Sequence, residues 1–411
     1  MAQVLAYTSP ARGHLFPLIP ILDELAARGH HVALRTLASE VPLMQSRGFH
    51  AAPISGEVEA LEMNDFRATN PRAALVASTA TFCARAAFDA PDLRQAIGET
   101  DPDAVIVDVN SWGALATAEA WGGPWALFCP YPMPLRSVDA PPFGPGLPPA
   151  RGPLRRARDR VLRPVLLGAA EKQILPAVNT VRTQLGLPRL QATDEMFRQP
   201  PLLLYLTAEP FEYPRRDWPD NVVLVGPMAW DPPADPPAWL DSVKTPIVLV
   251  TTSSEFQDDG RLVRTALDAL ADESVSVVAT LPAGDPTGYS VPPNARVERF
   301  VPHGAILDRA ACAVTHGGMG ATQKALARGI PVCAVPFGRD QHEVARRVEV
   351  AQAGTRLAAR RLRPDRLRTA VRTAMTHQAG AARVAAAFAN AGGATAAADA
   401  FERRLLGAAA R

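Results

Sequence analysis

Short apolar runs recur along the first 130 positions, at 3–8, 31–36, 49–54, 103–108 and 125–129. Between the first two, Leu15, Leu18, Ile19, Leu22 and Leu25 fall at helical spacing over 15–28, which predicts an amphipathic helix. Gly29 closes that helix and Pro102 precedes the fourth strand. Strand alternating with helix predicts a parallel sheet covered on both faces. A second such series begins at Ile247, with strands at 247–251, 275–281, 296–300, 312–315 and 331–335. Its helices are predicted near 259–272, 304–309, 320–328, 341–352 and 364–376. Between the two series, 154–186 reads as helix with Pro164 and Pro176 as breaks, followed by apolar runs at Leu202–Leu206 and Val222–Val225. The segment from Asp231 to Pro237 is too dense in proline for helix or strand and reads as a linker. The alanine-rich tail, 381–410, favours helix.

The fold class expected is α/β: two Rossmann-like, doubly wound parallel-sheet domains facing a central cleft. The boundaries read as 1–227, a proline-rich linker at 228–241, 242–390, and a terminal helical segment at 391–411. A chain of 411 residues suits two such units. Apolar residues at 47% and charged residues at 20% fit a globular protein. A net charge of +2 supplies no field for nucleic acid. Cys83, Cys129, Cys312 and Cys333 show neither CxxC nor zinc-ligand spacing and read as small hydrophobes in a reducing compartment. The chain opens directly into a strand at Val4, without a leader pattern, and has no run of eighteen apolar residues. A cytoplasmic protein is expected, with peripheral membrane contact left open. Arg151, Arg155, Arg156, Arg158, Arg160 and Arg163 form a basic stretch. It reads as a solvated helix face, or else as a contact for an acidic acceptor or a lipid headgroup.

In open parallel sheets, ligands bind beyond the carboxyl ends of the strands, where strand order reverses. Four loops there carry candidate chemistry. Ser9-Pro10-Ala11-Arg12-Gly13-His14 follows the first strand; Gly13 is expected to permit a tight turn that sets His14 at a helix start. Asp108 ends the fourth strand, the first strand's expected neighbour, so His14 and Asp108 should meet. A carboxylate on one imidazole nitrogen leaves the other free to take a proton from a hydroxyl; a helix cap and a plain strand end are the alternatives. Thr315-His316-Gly317-Gly318-Met319-Gly320 runs from a strand into a helix, where free N–H groups suit phosphate. Position 323 is Gln, so the dinucleotide fingerprint is incomplete and a simple tight turn remains open. Thr252, Ser253 and Ser254 offer hydroxyls to phosphate oxygens, or cap the next helix. Asp340-Gln341 can bind vicinal sugar hydroxyls, or cap a helix.

Together these segments resemble the family-1 glycosyltransferases of bacterial natural-product pathways. The likeness is strongest in Gly13-His14-Leu15-x-Pro17-Leu18, and from Val301-Pro302 through His316-Gly317-Gly318 to Asp340-Gln341. It implies the GT-B fold, with an acceptor-binding first domain, a nucleotide-sugar-binding second domain, and a last helix crossing back to the first. It also implies inversion at the anomeric carbon and neither metal nor cofactor. His14 looks like the family's base and Asp108 like its partner. Phe300 stands where an aromatic stacks on the nucleotide base, and Val301 where backbone groups hold it. His316, Gly317 and Gly318, with Gly320, match the diphosphate site, and Asp340 and Gln341 the sugar-hydroxyl pair. Uridine-type members often carry Glu where this chain has Lys324; with Lys there, His303 is a candidate to hold the ribose. The donor is therefore expected to be a dTDP- or UDP-sugar. Met63, Phe66, Phe82, Trp112 and Phe143 are candidates for an apolar acceptor pocket. Expected partners are a small aglycone and the nucleotide-sugar, in a monomer or homodimer. Three other readings fit less well. A nicotinamide oxidoreductase needs more glycines after the first strand, an epimerase of this fold has different motifs, and an inactive helper should lack His14 and Asp108.

Overall fold

The computed structural model describes residues 1–150 and 152–407. Arg151 of the basic stretch and the end of the tail, 408–411, lie outside the described residues. Seven strands form the first sheet: β1 (Gln3–Tyr7), β2 (His31–Thr36), β3 (His50–Pro53), β4 (Ala104–Asp108), β5 (Trp125–Cys129), β6 (Leu202–Tyr205) and β7 (Val222–Leu224). Their order is β3-β2-β1-β4-β5-β6-β7. The second sheet holds β8 (Ile247–Thr251), β9 (Ser276–Thr280), β10 (Ala295–Glu298), β11 (Ala310–Thr315), β12 (Val332–Ala334) and β13 (Gly354–Arg356), in the order β10-β9-β8-β11-β12-β13. Every pairing is parallel. In both sheets the order reverses beside the opening strand, which places a crevice after β1 and β4 and another after β8 and β11.

Alternation along each strand feeds two cores. Leu5, Tyr7, Val105 and Val107 face the helices Pro71–Thr100 and Trp112–Trp121. Val4, Ala6, Ile106 and Phe128 face the opposite side, where Leu15, Leu18, Ile19 and Leu22 of the helix Arg12–Ala27 meet Ala397, Phe401 and Leu405. The helix Gly393–Phe401 and the turn after it, Glu402–Leu406, thus pack on the first domain, and Arg28 ties them down through Asp399 at 2.6 Å and Glu402 at 2.8 Å.

One local expectation needs correction, and two elements carry no signal in the sequence. Pro164 and Pro176 do not break the helix, which is continuous from Pro153 to Gln184. A proline removes one N–H and crowds one carbonyl, and the inward face carrying Ile174, Val178 and Val181 offsets that cost. The thirty-residue helix Pro71–Thr100 has no clear apolar stripe because it packs against two other helices at once. The strand β13 is three residues long, too short for a periodicity to show.

Candidate active site

β1 and β4 are paired in register, Tyr7 beside Val107, so the loops leaving them are neighbours. His14, in the first turn of its helix, donates from Nδ1 to Asp108 Oδ2 at 2.7 Å. The other Asp108 oxygen accepts the Asn110 backbone N–H at 2.8 Å. The Asn110 amide reaches His14 Nε2 at 3.2 Å, and its Oδ1 accepts the Tyr131 hydroxyl at 2.9 Å. With its oxygen so occupied, Asn110 donates to Nε2, which assigns the Nδ1–H tautomer. Tyr131 also stands edge-on to the imidazole. Burial opposes a charge on His14, yet the charge and hydrogen bond of Asp108, with Glu255 and Asp340 adding, hold its pKa above the ordinary imidazole value. Asp108 is fully buried, whereas the His14 side chain keeps 14% of its surface open. Gly13 is not the turn residue expected: it lies inside the helix without a positive φ, and a Cβ there would meet nothing within 4 Å. Ser9, Pro10 and Ala11 make the turn, and Gly13 leaves space beside His14.

The facing loop follows β12. The charge of Asp340 adds to that of Asp108 in favouring a protonated His14, and burial raises the Asp340 pKa. Gln341 is less free than expected. Its Oε1 accepts the N–H groups of Phe337 at 2.8 Å and Gly338 at 3.1 Å, and its amide donates to Gln257 at 2.7 Å. It shapes the loop that presents Asp340. Arg339 holds a positive φ of 51°. Its guanidinium grips Asp65 of the first domain at 2.7 and 2.9 Å and reaches Glu255 at 2.7 Å. Phe66 meets Phe256 beside that grip, their ring centres 5.3 Å apart. Asn110, Tyr131, Arg339, Asp65 and Glu255 were missed in the sequence. Asn110 could have been found by its position two residues after Asp108.

Beyond β8, Thr252 bonds back to the Thr280 carbonyl at 3.2 Å, and Ser253 Oγ accepts from Glu255 N–H and Gln257. Of the three candidate hydroxyls, Thr252 and Ser253 are engaged within the protein and Ser254 is exposed. The Ser253 N–H donates to Asp259, the residue before the helix Gly260–Leu270. His316 is buried, and its Nδ1 has no hydrogen-bond partner among the described residues. Burial lowers its pKa, against the opposing charge of Asp259, so the ring is held neutral. Gly317 requires its left-handed φ of 88°, and a Cβ on Gly318 would strike the His316 ring at 2.3 Å. Gly318 precedes the helix Met319–Leu326, and Gly320 in its first turn has open space around it. Phe300 is 47% exposed, while Val301 is buried. His303 hydrogen-bonds Thr280 at 3.1 Å; burial and then Lys324 push its pKa down to about 4, Asp231 offsetting only in part. Lys324 is paired with Asp231 of the linker at 2.5 Å, and Asp231 also accepts the Gly304 N–H at 3.1 Å.

The apolar candidates divide. Trp112 is core: it is buried at the start of the helix Trp112–Trp121, and Phe82 packs on it with ring centres 5.3 Å apart. Both were expected to line an acceptor pocket, but here they pack on each other where the helix Pro71–Thr100, which carries Phe82, meets the helix Trp112–Trp121. Met63 and Phe143 are half-buried on loops, and Phe66 is half-buried in the short 3-10 turn Asp65–Arg67.

Residues 264–400 match the family described as erythromycin biosynthesis protein CIII-like, C-terminal domain. The chain is 35% identical over 389 residues to 4'-demethylrebeccamycin synthase of Lentzea aerocolonigenes, covering 91% of this chain and 92% of that one. The glycotransferase of kitacinnamycin superposes with a TM-score of 0.78 at 23% identity, over 98% of this chain and 99% of that one. The glycosyltransferase VinC, solved in complex with dTDP, superposes with a TM-score of 0.69 at 22% identity, over 98% and 99% of the two chains.

Proposed function

The chain belongs to the bacterial natural-product glycosyltransferases of family 1, with the GT-B fold, and we propose that it transfers a hexose, with inversion, from a dTDP-sugar to a hydroxyl of an apolar acceptor. One observation carries the reading: His14 is fixed by Asp108 at Nδ1, which leaves the lone pair on Nε2, beside the Asn110 amide. In the step proposed, the acceptor hydroxyl replaces the Asn110 amide at Nε2 and gives up its proton there. The oxygen bonds to the anomeric carbon as the bond from that carbon to the diphosphate oxygen breaks. The proton stays on His14 as an imidazolium beside Asp108, and the electron pair leaves with the nucleoside diphosphate. Asp340 accepts hydrogen bonds from sugar hydroxyls. The neutral His316 ring and the N–H groups opening the helix Met319–Leu326 meet the leaving diphosphate. Exposed Phe300 supplies a face for the base.

In the proposed scheme these hydrogen-bond donors and the helix dipole stabilise the leaving phosphates without a metal. Mixing dTDP- or UDP-glucose with a panel of phenols and alcohols should therefore release nucleoside diphosphate at an undiminished rate in EDTA. Loss of turnover that Mg²⁺ restores would sink this scheme, and no release with any pair would sink the hexosyl reading.

The nucleotide preference rests on Lys324. A carboxylate at that position would accept from both hydroxyls of a ribose, whereas an ammonium accepts from neither. The carboxylate that does reach this helix, Asp231, is already engaged by Lys324 and Gly304. Thymidine, which lacks the 2′-hydroxyl, loses nothing here, and VinC, a structural relative, is in complex with dTDP. Titration calorimetry is expected to find dTDP bound more tightly than UDP. A tenfold preference for UDP, about 1.4 kcal/mol, would reverse the assignment.

A further inference from the structure

The basic stretch takes no part in the site above. It occupies the first half of the helix Pro153–Gln184. At about 100° per residue, Leu154, Ala157, Val161, Pro164 and Val165 share one arc. That arc faces outward: Leu154 is 86% exposed, Val161 67% and Val165 65%. The opposite side is the anchored one. Asp159 is buried and paired with Arg158, Arg158 also donates to the Pro148 carbonyl at 2.8 Å, and Arg163 donates to the Ala140 carbonyl at 2.9 Å. A helix of a soluble protein ordinarily turns its apolar stripe to the core; this one turns a stripe to solvent.

Exposed arginines flank the stripe, Arg155 on one side and Arg156 and Arg160 on the other. Asp159 is the one acidic residue between 153 and 167, and it is buried. We propose that this half-helix is a docking element for an anionic phospholipid surface. The arginine stems can lie along the stripe while their heads reach phosphate, and each such cation strengthens binding to an anionic surface about fivefold. One Leu and two Val bury too little to hold a membrane alone, so the charge decides. A second copy of the chain is disfavoured: pairing two stripes face to face sets the flanking arginines of each against those of the other, with no exposed carboxylate on the stripe to offset them. No helix among the described residues is long and apolar enough to cross a membrane, so the docking is peripheral. It would bring the first domain, with the loop that Arg158 and Arg163 hold behind the helix, close to the lipid surface. An apolar acceptor concentrates at such a surface.

Flotation of the full-length protein with vesicles tests this without reference to catalysis. Binding is expected to mixed phosphatidylcholine–phosphatidylglycerol vesicles, not to phosphatidylcholine alone, and it should fade between about 50 mM and about 500 mM salt. The triple variant Arg155→Gln/Arg156→Gln/Arg160→Gln, and separately Val161→Asp, should bind at least tenfold more weakly. Because these side chains are exposed, unfolding temperature should not move; Leu154→Ser stands in if Val161→Asp does not fold. The proposal is overturned by failure of the wild type to float, by equal flotation of the triple variant, or by a dimer in sedimentation that Val161→Asp dissociates.

Discussion

Replacing His14 by alanine should slow turnover by about 10²–10⁴-fold, the usual worth of a positioned base, with little change in donor affinity. The donor is proposed to sit on β8–β13 and their loops, and His14 belongs to the first domain. Near-normal turnover with a hydroxyl acceptor would remove His14 from the mechanism. The pH profile gives a second readout. A base works when deprotonated, so kcat/KM should fall as pH drops through the His14 pKa. Asp108 holds that pKa above the ordinary value of about 6.5, so the acidic limb should lie above that value. Asp108→Asn removes the charge that favours the imidazolium. It should both slow the reaction and shift the limb to lower pH. A slower Asp108→Asn enzyme with an unmoved limb would mean that Asp108 acts only through folding.

Neutralising Glu212 should cost about 3–5 kcal/mol of stability, the typical price of an unbalanced buried ion pair. Glu212 lies just after β6 and is fully buried. Its carboxylate accepts from Arg347 at 2.9 Å twice, from Arg215 at 3.0 Å and from the Tyr205 hydroxyl at 2.6 Å. Arg347 stands on the helix Gln341–Val350 of the second domain, beside Glu343, which accepts the N–H groups of Gly144 and Gly146, both at 2.9 Å. The cluster therefore spans the two domains. Burial alone would raise the Glu212 pKa, but Arg347 and then Arg215 bring it down to about 2. Its folded pKa is depressed, so the stabilisation is complete above the unfolded value of about 4.3 and is lost as pH falls towards 2. Denaturant unfolding of Glu212→Gln at neutral pH measures the cost. Arg216→Gln, which breaks an exposed pair with Asp139, should barely shift the midpoint. Equal small effects of the two substitutions would refute the account.

The two parallel sheets were legible because strands buried on both faces read as unbroken apolar runs, and the first helix because one face alone meets the core. The His14–Asp108 contact was legible for a topological reason: in a doubly wound sheet the first and fourth strands adjoin, so the end of one predicts the neighbour of the other. The same logic placed glycines and His316 after β11, since a strand entering a helix there needs little side-chain bulk.

Other features were decided only in three dimensions. Local pattern says nothing about what a side chain meets across a cleft. Arg339 with Asp65, Lys324 with Asp231 and Arg347 with Glu212 join positions far apart in the chain, and any of these residues alone reads as an ordinary surface charge. Gln341 and Ser253 have the chemistry to hold a ligand, yet backbone N–H groups within a few residues claim them first. Trp112 and Phe82 have the apolar surface of a pocket wall, but they meet each other where the helices Pro71–Thr100 and Trp112–Trp121 pack together. The sequence by itself determined the sheets, the crevices and the residue types at their edges, because periodicity and strand ends are local properties. The tertiary structure decided which of those groups remain free to act, because hydrogen bonds and ion pairs are claimed by whichever partner the packing brings within reach.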